Sequence, residues 1–445
     1  MGAERVGSGE AASELQAEEA ASAGPRSVEG TPPIGRFTDL GPTFGAGAVT
    51  ALVGFSSSFA VVIAGLRAVG ASEKQAASGL FTICVLMGVC GIVFSVRHRM
   101  PISIAWSTPG AALLVSVGAG RTHSGHGGAA GYREVLGAFV LTGILLAVTG
   151  FSRTLTRWIA AIPAAISAAM LAGVIAPICL ESAQAAVHLP RLALPAIGVW
   201  VVLGRFAKRW AVPAALAAAF IGLAFDPATS GHLTGGLLPT LAATGPRFDV
   251  KTLISLAIPL YLVTMASQNL AGIAVMRGYG YEPPIREVLL GTGAATTLGA
   301  VSGGTPINFA AITAALAASP DSHRDPGRRW IASTTAGALY ITLGLGAATA
   351  TALLIAAPPL LIEGVAGLAL LPALGSSLTS ALSESRYREP ATATFVTTAS
   401  GVTVAGIGAA FWGLLIGLGL LAISTSREHA AIVTSRRVDP RPDGG

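Results

Sequence analysis

The sequence predicts an all-α membrane protein of about fourteen transmembrane helices in a seven-plus-seven inverted repeat. Three observations carry this. Of 445 residues, 52% are hydrophobic and only 11% charged, against about 25% charged in soluble domains. Mean hydropathy is +0.67. Charges are absent from twelve windows: 40–66, 75–96, 100–120, 135–152, 158–180, 192–204, 210–225, 252–276, 288–320, 330–362, 364–383 and 390–426. Most are near the ~20 residues that a spanning helix needs, and none alternates as barrel strands do.

Taken in order, the first seven windows give spans 1–7. The window 252–276 gives span 8. Val288–Pro320 is long enough for two short helices and breaks at Gly303-Gly304-Thr305-Pro306, giving spans 9 and 10. Windows 330–362 and 364–383 give spans 11 and 12, and Pro390–Ser426, broken around Gly406–Gly408, gives spans 13 and 14. The domains are then a first repeat over 41–226 and a second over 250–426, with polar tails at 1–40 and 427–445.

Residues 1–40 carry seven acidic and three basic side chains and no apolar run. No cleavable signal peptide is expected there, and both tails read as disordered and cytoplasmic. With the N-terminus inside, the inner loops hold 14 Lys and Arg and the outer loops 7, the bias that sets orientation. That distribution accounts for a pI near 9.6 without nucleic acid. The lipid bilayer is the implied partner, and a second copy of the chain is a candidate partner. Cys84, Cys90 and Cys179 all lie in apolar windows without metal-ligand spacing, so they read as packing residues and no metal or cofactor is expected.

The repeat rests on two matches. Gly65-Leu66-Arg67-Ala68-Val69-Gly70 ends span 1 and Val275-Met276-Arg277-Gly278-Tyr279-Gly280 ends span 8. In that register Ser56-Ser57-Ser58-Phe59 falls opposite Ala266-Ser267-Gln268-Asn269. Two spans later each half has a Thr-Pro, Thr108-Pro109 and Thr305-Pro306, read as a helix start in both copies. Seven spans per copy is odd, so the copies enter the membrane from opposite sides.

Helices that begin at mid-depth leave backbone N–H groups in the bilayer centre, where they form an anion site. Polar residues cluster at both breaks: Ser103, Ser107 and Thr108 in one, Ser302, Thr305 and Asn308 in the other. Span 8 adds Thr264, Ser267, Gln268 and Asn269. Interhelical hydrogen bonding is the plainer reading of such residues; a substrate site is the sharper one.

The same residues carry a resemblance. The run Met100-Pro101-Ile102-Ser103-Ile104-Ala105-Trp106-Ser107-Thr108-Pro109-Gly110-Ala111-Ala112 resembles the third-span signature of the benzoate–proton symporter family. Ile162-Pro163 with Ala169–Val174, Asn308–Ala315, and Thr398–Val402 with Ala410–Gly413 resemble its fifth, tenth and last spans. The likeness runs from about residue 40 to 425. It implies the fold shared with uracil, xanthine and sulfate permeases, in which spans 1–4 and 8–11 form a core that moves against a gate of spans 5–7 and 12–14. Substrate then sits between the half-helices of spans 3 and 10, beside span 8. Uracil permeases place a glutamate where this chain has Gln268, and a neutral amide suits a carboxylate substrate.

The residues expected to bind substrate are Ser58, Phe59, Ser107, Thr108, Gly110, Ser267, Gln268, Asn269, Thr305, Asn308, Phe309 and Ala311. Phe59, Trp106 and Phe309 are placed to pack on a ring, and Gly110 and Ala311 to let a ligand approach backbone. Proton coupling is assigned to Glu181 or Glu363, or to the substrate's own carboxyl group. The resulting expectation is benzoate–proton symport. The alternatives are an exporter, or a carrier of another organic or inorganic anion or a nucleobase. A channel would want charged rings or a continuous polar pore. An enzyme would want a motif such as HExxH, GxSxG or Walker A, and the sequence has none of these.

Overall fold

The computed structural model describes residues 41–56, 58–123, 129–152, 162–225, 239–310, 312–402, 404 and 409–438. The expected tail at 1–40, Ala311 and the Gly406–Gly408 break lie outside the described residues. The chain begins with α1 (Gly41–Ser56), α2 (Phe59–Ala68) and α3 (Glu73–His98). A capping box starts α3: Ser72 Oγ accepts from the Gln75 N–H (3.3 Å) and Gln75 Oε1 accepts from the Ser72 N–H (2.9 Å). Next come strand β1 (Ile104–Trp106), α4 (Thr108–His123) and α5 (Ala129–Phe151), then α6 (Ala164–His188), α7 (Pro190–Phe206) and α8 (Lys208–Ala224).

The second half opens on α9 (Val250–Gly278), capped by Asp249, whose carboxylate accepts from the Thr252 N–H (2.9 Å). There follow α10 (Ile285–Ala300), β2 (Ile307–Phe309), α11 (Ile312–Ala318), α12 (Trp330–Leu345), α13 (Ala347–Ala356), α14 (Pro359–Leu382), α15 (Arg388–Ala399) and α16 (Ala409–Val438).

Helix is found in each of the fourteen predicted segments. By length and composition six helices are able to cross a membrane among the described residues, with a seventh if Pro326–Leu345 and Ala347–Leu354 count as one span bent by 58°. Thr108–Gly118, Trp210–Leu223 and Ala409–Ile423 are shorter apolar helices. Three boundaries differ from expectation. Span 11 bends at Gly346 and stops before Pro358-Pro359, so span 12 starts at Pro359. The last window already breaks after Ala399, where Gly401 takes φ +64°. And α16 runs on to Val438, into the stretch expected to be a disordered tail, because neither Gly nor Pro interrupts 420–438.

The segments at the two breaks are not helical. β1 and β2 pair antiparallel, with Ile104 opposite Phe309, Ala105 opposite Asn308 and Trp106 opposite Ile307. The ladder continues in Ser107 N–H to Pro306 C=O and Ala310 N–H to Ser103 C=O, both 3.0 Å. Extended backbone in an apolar interior must satisfy its own polar groups, and each break does so through the other. β2 therefore corrects one expectation: Thr305-Pro306 precedes a strand, not a helix, and the following helix is described from Ile312. Pro306 loses nothing there, since proline is tolerated at strand starts.

The proposed helix-end match holds in backbone detail. In the first copy Val69 N–H bonds Gly65 C=O (3.2 Å), Gly70 bonds Arg67 (3.0 Å) and Ala71 bonds Leu66 (3.0 Å). In the second, Tyr279 bonds Val275 (3.2 Å), Gly280 bonds Arg277 (2.9 Å) and Tyr281 bonds Met276 (3.0 Å). Gly70 (φ +98°) and Gly280 (φ +82°) supply the left-handed residue that this helix ending requires.

Glycine also sets how closely helices approach. A Cβ at Gly88 would lie 2.5 Å from the Gly337 carbonyl oxygen, and one at Gly337 2.8 Å from that of Gly88, fixing α3 against α12. Gly143 and Gly293 do the same for α5 and α10, at 2.7 and 2.6 Å. Such backbone contact is how helices adhere where apolar burial gives no advantage over lipid.

Candidate functional site

The site builds outward from the strand pair. α4 starts directly after β1, and Ser107 caps it: its Oγ accepts from the Gly110 N–H (3.1 Å) and its C=O accepts from the Ala111 N–H (2.8 Å). The Thr264 hydroxyl donates to Ser107 Oγ (3.0 Å), tying α4 to the middle of α9. The Asn308 amide, fully buried, is satisfied with its oxygen towards the Ser107 N–H (3.0 Å) and its nitrogen towards the Phe309 carbonyl (2.6 Å).

α9 is irregular where it meets this structure. Thr264–Asn269 forms a π turn, a local widening that often accompanies functional sites. Within it Asn269 is fully buried. Its Oδ1 accepts from the Phe309 N–H (3.0 Å) and its Nδ2 donates to the Thr264 carbonyl (3.3 Å). Ser267 donates back to Val263 C=O (2.6 Å). Asn269 thus holds β2 while Thr264 holds α4.

The first copy is irregular at the matching place, where α1 ends at Ser56 and α2 starts at Phe59. The Trp106 indole N–H donates to Ser58 Oγ (2.8 Å). Phe55 stacks on Phe59 with ring centroids 4.9 Å apart and meets Trp106 edge-on at 5.9 Å. These three rings form an aromatic wall beside the start of α4.

Eleven of the twelve expected residues are described, and they separate by what they touch. Ser58, Ser107, Ser267, Asn269 and Asn308 are engaged by partners within the protein. Phe59 and Phe309 are buried in the apolar interior, and Phe309 is the ladder partner of Ile104, with its Cβ against Gly272. Gly110 is close-packed: an added Cβ would come within 2.6 Å of Leu260 Cδ1, so its smallness serves the α4–α9 contact. Thr108 and Gln268 remain. Both are half-buried, and their side chains make no hydrogen bond to any described residue. Gln268 shares the π turn with Thr264, which bonds the residue before Thr108. Thr305 is 2% exposed with its hydroxyl unpartnered among the described residues.

Sequence reasoning missed Phe55, the ring that joins Phe59 to Trp106, and Thr296, whose Oγ1 accepts from the Ile307 N–H (3.1 Å). The only signal for Thr296 was a hydroxyl in an otherwise apolar window. Glu181 and Glu363 lie on α6 and α14, which pack together. Ser182 Oγ donates to the Gly364 carbonyl (3.1 Å), and both carboxylates are half-buried and close enough to interact electrostatically. Neither belongs to the strand crossing. Among the described residues no group of three His, Cys, Asp or Glu is placed to hold a metal.

Helices long and apolar enough to cross a membrane, with two broken segments paired through β1 and β2, define a membrane protein of transporter-like fold. Two solved structures share the fold. The transmembrane domain of a cyanobacterium bicarbonate transporter, BicA, aligns at TM-score 0.53 and 14% identity over 87% of this chain and 97% of that one. SLC26A9 aligns at TM-score 0.57 and 13% identity over 87% of this chain and 65% of that one. At such identities the likeness concerns the fold alone.

The sequence comparisons are closer. The family described as Benzoate membrane transport protein matches residues 39–423, and the chain belongs to it. It is 36% identical to the Escherichia coli (strain K12) inner membrane protein YdcO, over 84% of this chain and 94% of that protein. It is 29% identical to the benzoate membrane transport protein of Acinetobacter baylyi, over 84% and 92%. The chain is accordingly a multi-pass membrane transport protein.

Proposed function

We propose that the chain imports benzoate or a close aromatic carboxylate together with a proton, by movement of a core of spans 1–4 and 8–11 against a gate of spans 5–7 and 12–14. The observation that carries this is the division of labour at the crossing. The polar groups that hold the strands are spent on one another, whereas the Thr108 hydroxyl, two residues beyond Trp106 of the aromatic wall, and the Gln268 amide on α9 make no hydrogen bond to a described residue. A carboxylate wants the donors and a ring wants the wall.

In this reading Asn269, Asn308, Ser107, Ser267 and Thr305 shape the crossing, while Gln268 and Thr108 meet the carboxylate. In this reading openings to the crossing form as the core moves against the gate. The fourteen-span inverted topology with both termini cytoplasmic supplies two such openings, one to each side. The matching helix ends and the Lys and Arg bias support it. Glu181 on α6 and Glu363 on α14, helices that pack together, are the candidate proton carriers in this reading.

Uptake of labelled acids into proteoliposomes with an imposed pH gradient tests the proposal. Benzoate accumulation that is saturable and abolished by an uncoupler is the expected result. Accumulation of a nucleobase or inorganic anion in preference to benzoate would replace the substrate. Equal uptake with and without the gradient would remove the proton.

A further inference from the structure

A second place suits an aromatic carboxylate, and it lies away from the crossing. A cavity of about 180 Å³ opens where three helix ends meet: the end of α2 (Ile63, Ala64, Arg67, Ala68), the end of α13 with its exit (Leu354, Ala357), and the start of α14 (Pro359, Ile362, Glu363). An apolar cavity of about 150 Å³ is enough to bind benzene, so this one takes a single substituted ring. Its wall is aliphatic except for Arg67 and Glu363.

Arg67 is exposed and donates one N–H to the Ala71 carbonyl (2.8 Å). It forms no ion pair among the described residues. Its counterpart at the matching helix end behaves differently. Arg277 pairs with Glu282 (3.3 Å). The two helix ends share one backbone geometry, so the difference lies in what surrounds the guanidinium. A guanidinium with donors to spare beside an aliphatic pocket of ring size is what binds a carboxylate carrying an aromatic ring.

We propose that this cavity is a peripheral aromatic-carboxylate site, in which the ring lies against Ala64, Leu354, Ala357 and Ile362 and the carboxylate pairs with Arg67. In the proposed topology it faces outward, at a boundary between core and gate helices, and gathers substrate before it reaches the crossing. Glu363 sits across the same space as the group of like charge, so it opposes the ligand and does not hold it. The inference rests on the transport reading only for its choice of probe, since binding is measured without transport.

The test uses the full-length protein purified in detergent, with Cys84, Cys90 and Cys179 replaced by alanine and one cysteine introduced as Ala64→Cys. Alkylation by a maleimide is followed against increasing benzoate. Protection is expected, with its half-point unchanged by Gln268→Ala, raised about tenfold or more by Arg67→Gln, largely restored by Arg67→Lys, and unchanged by Arg277→Gln. Glu363→Gln should leave protection equal or strengthen it. Arg67→Lys also keeps the charge at the helix end, so a failure caused by misfolding shows as loss in both Arg67 variants together with loss of a monodisperse elution peak. In that event Ala357→Phe, which fills the cavity and leaves both charges, should abolish protection.

No protection by benzoate in the parent protein would overturn the site. So would protection that disappears with Gln268→Ala, which would make the cavity a reporter of the crossing, or protection indifferent to Arg67→Gln in a well-folded variant. If instead proteoliposomes take up no aromatic acid while Arg67-dependent protection persists, the transport proposal fails and the peripheral site stands.

Discussion

Ser58-Phe59 and Gln268-Asn269 fall opposite each other in the proposed repeat, yet they carry opposite chemistry. In the first copy the hydroxyl takes the Trp106 indole N–H and the next residue is a ring stacked on Phe55. In the second the amide of Gln268 is free and the next residue is an amide committed to the β2 backbone. In the proposed site the first pair would offer an apolar wall and the second a hydrogen-bond donor. A symmetrical pair of sites would bind a symmetrical solute; this pair suits a molecule with one aromatic end and one charged end.

The sharpest way to break the contrast is to put charge on the donor side. Gln268→Glu adds a carboxylate where the substrate's own is expected, and two unit charges 4 Å apart cost about 4 kcal/mol at an effective dielectric near 20. Benzoate uptake at neutral pH should fall by more than about a hundredfold with normal insertion and elution. Uptake like that of the parent protein would remove Gln268 from the site.

Asn269→Ala should act on stability. It leaves the Phe309 N–H buried without its acceptor, at a cost of about 1–3 kcal/mol. Thermal unfolding in detergent should show it, and an unchanged midpoint would mean that β2 does not depend on α9. Ser107→Ala removes the cap of α4 and the acceptor of Thr264, and about 1 kcal/mol is expected from the cap. The same melts would detect it, whereas a variant as stable as the parent would show that the strand pairing alone holds the start of α4. The smallest effect belongs to the wall: Trp106→Phe keeps an aromatic ring and loses one hydrogen bond to Ser58, worth about 0.5–1.5 kcal/mol. Benzoate affinity should change little, and a large loss would assign the indole N–H to the ligand.

Much of this was legible in the sequence, for reasons that differ by element. The break at Gly303-Gly304 could be read because a charge-free window was too long for one helix, and Gly303 indeed turns the chain at φ +84°. The paired helix ends could be read because a left-handed residue favours glycine, so Gly70 and Gly280 are visible as letters. The strand register could not. The matching of Thr108-Pro109 with Thr305-Pro306 followed residue identity, while the structure aligns Ile104 with Phe309 through backbone bonds that carry no side-chain signature. Which polar residues are spent was equally hidden. Asn269 and Gln268 are adjacent amides, and only the π turn decides that one reaches β2 while the other is left free.

The central claim is that the Gln268 side reads the charge of the ligand and the Phe59 side its ring. Calorimetric binding of benzoate and of benzamide, to the parent protein and to Gln268→Ala, tests it most directly. Benzamide should bind the parent more weakly than benzoate. Gln268→Ala should weaken benzoate by about 1.5–3 kcal/mol, the worth of a hydrogen bond to a charged group, while changing benzamide by less than about 1 kcal/mol, nearer a neutral bond. Equal losses for the two ligands, or no loss for benzoate, would contradict it.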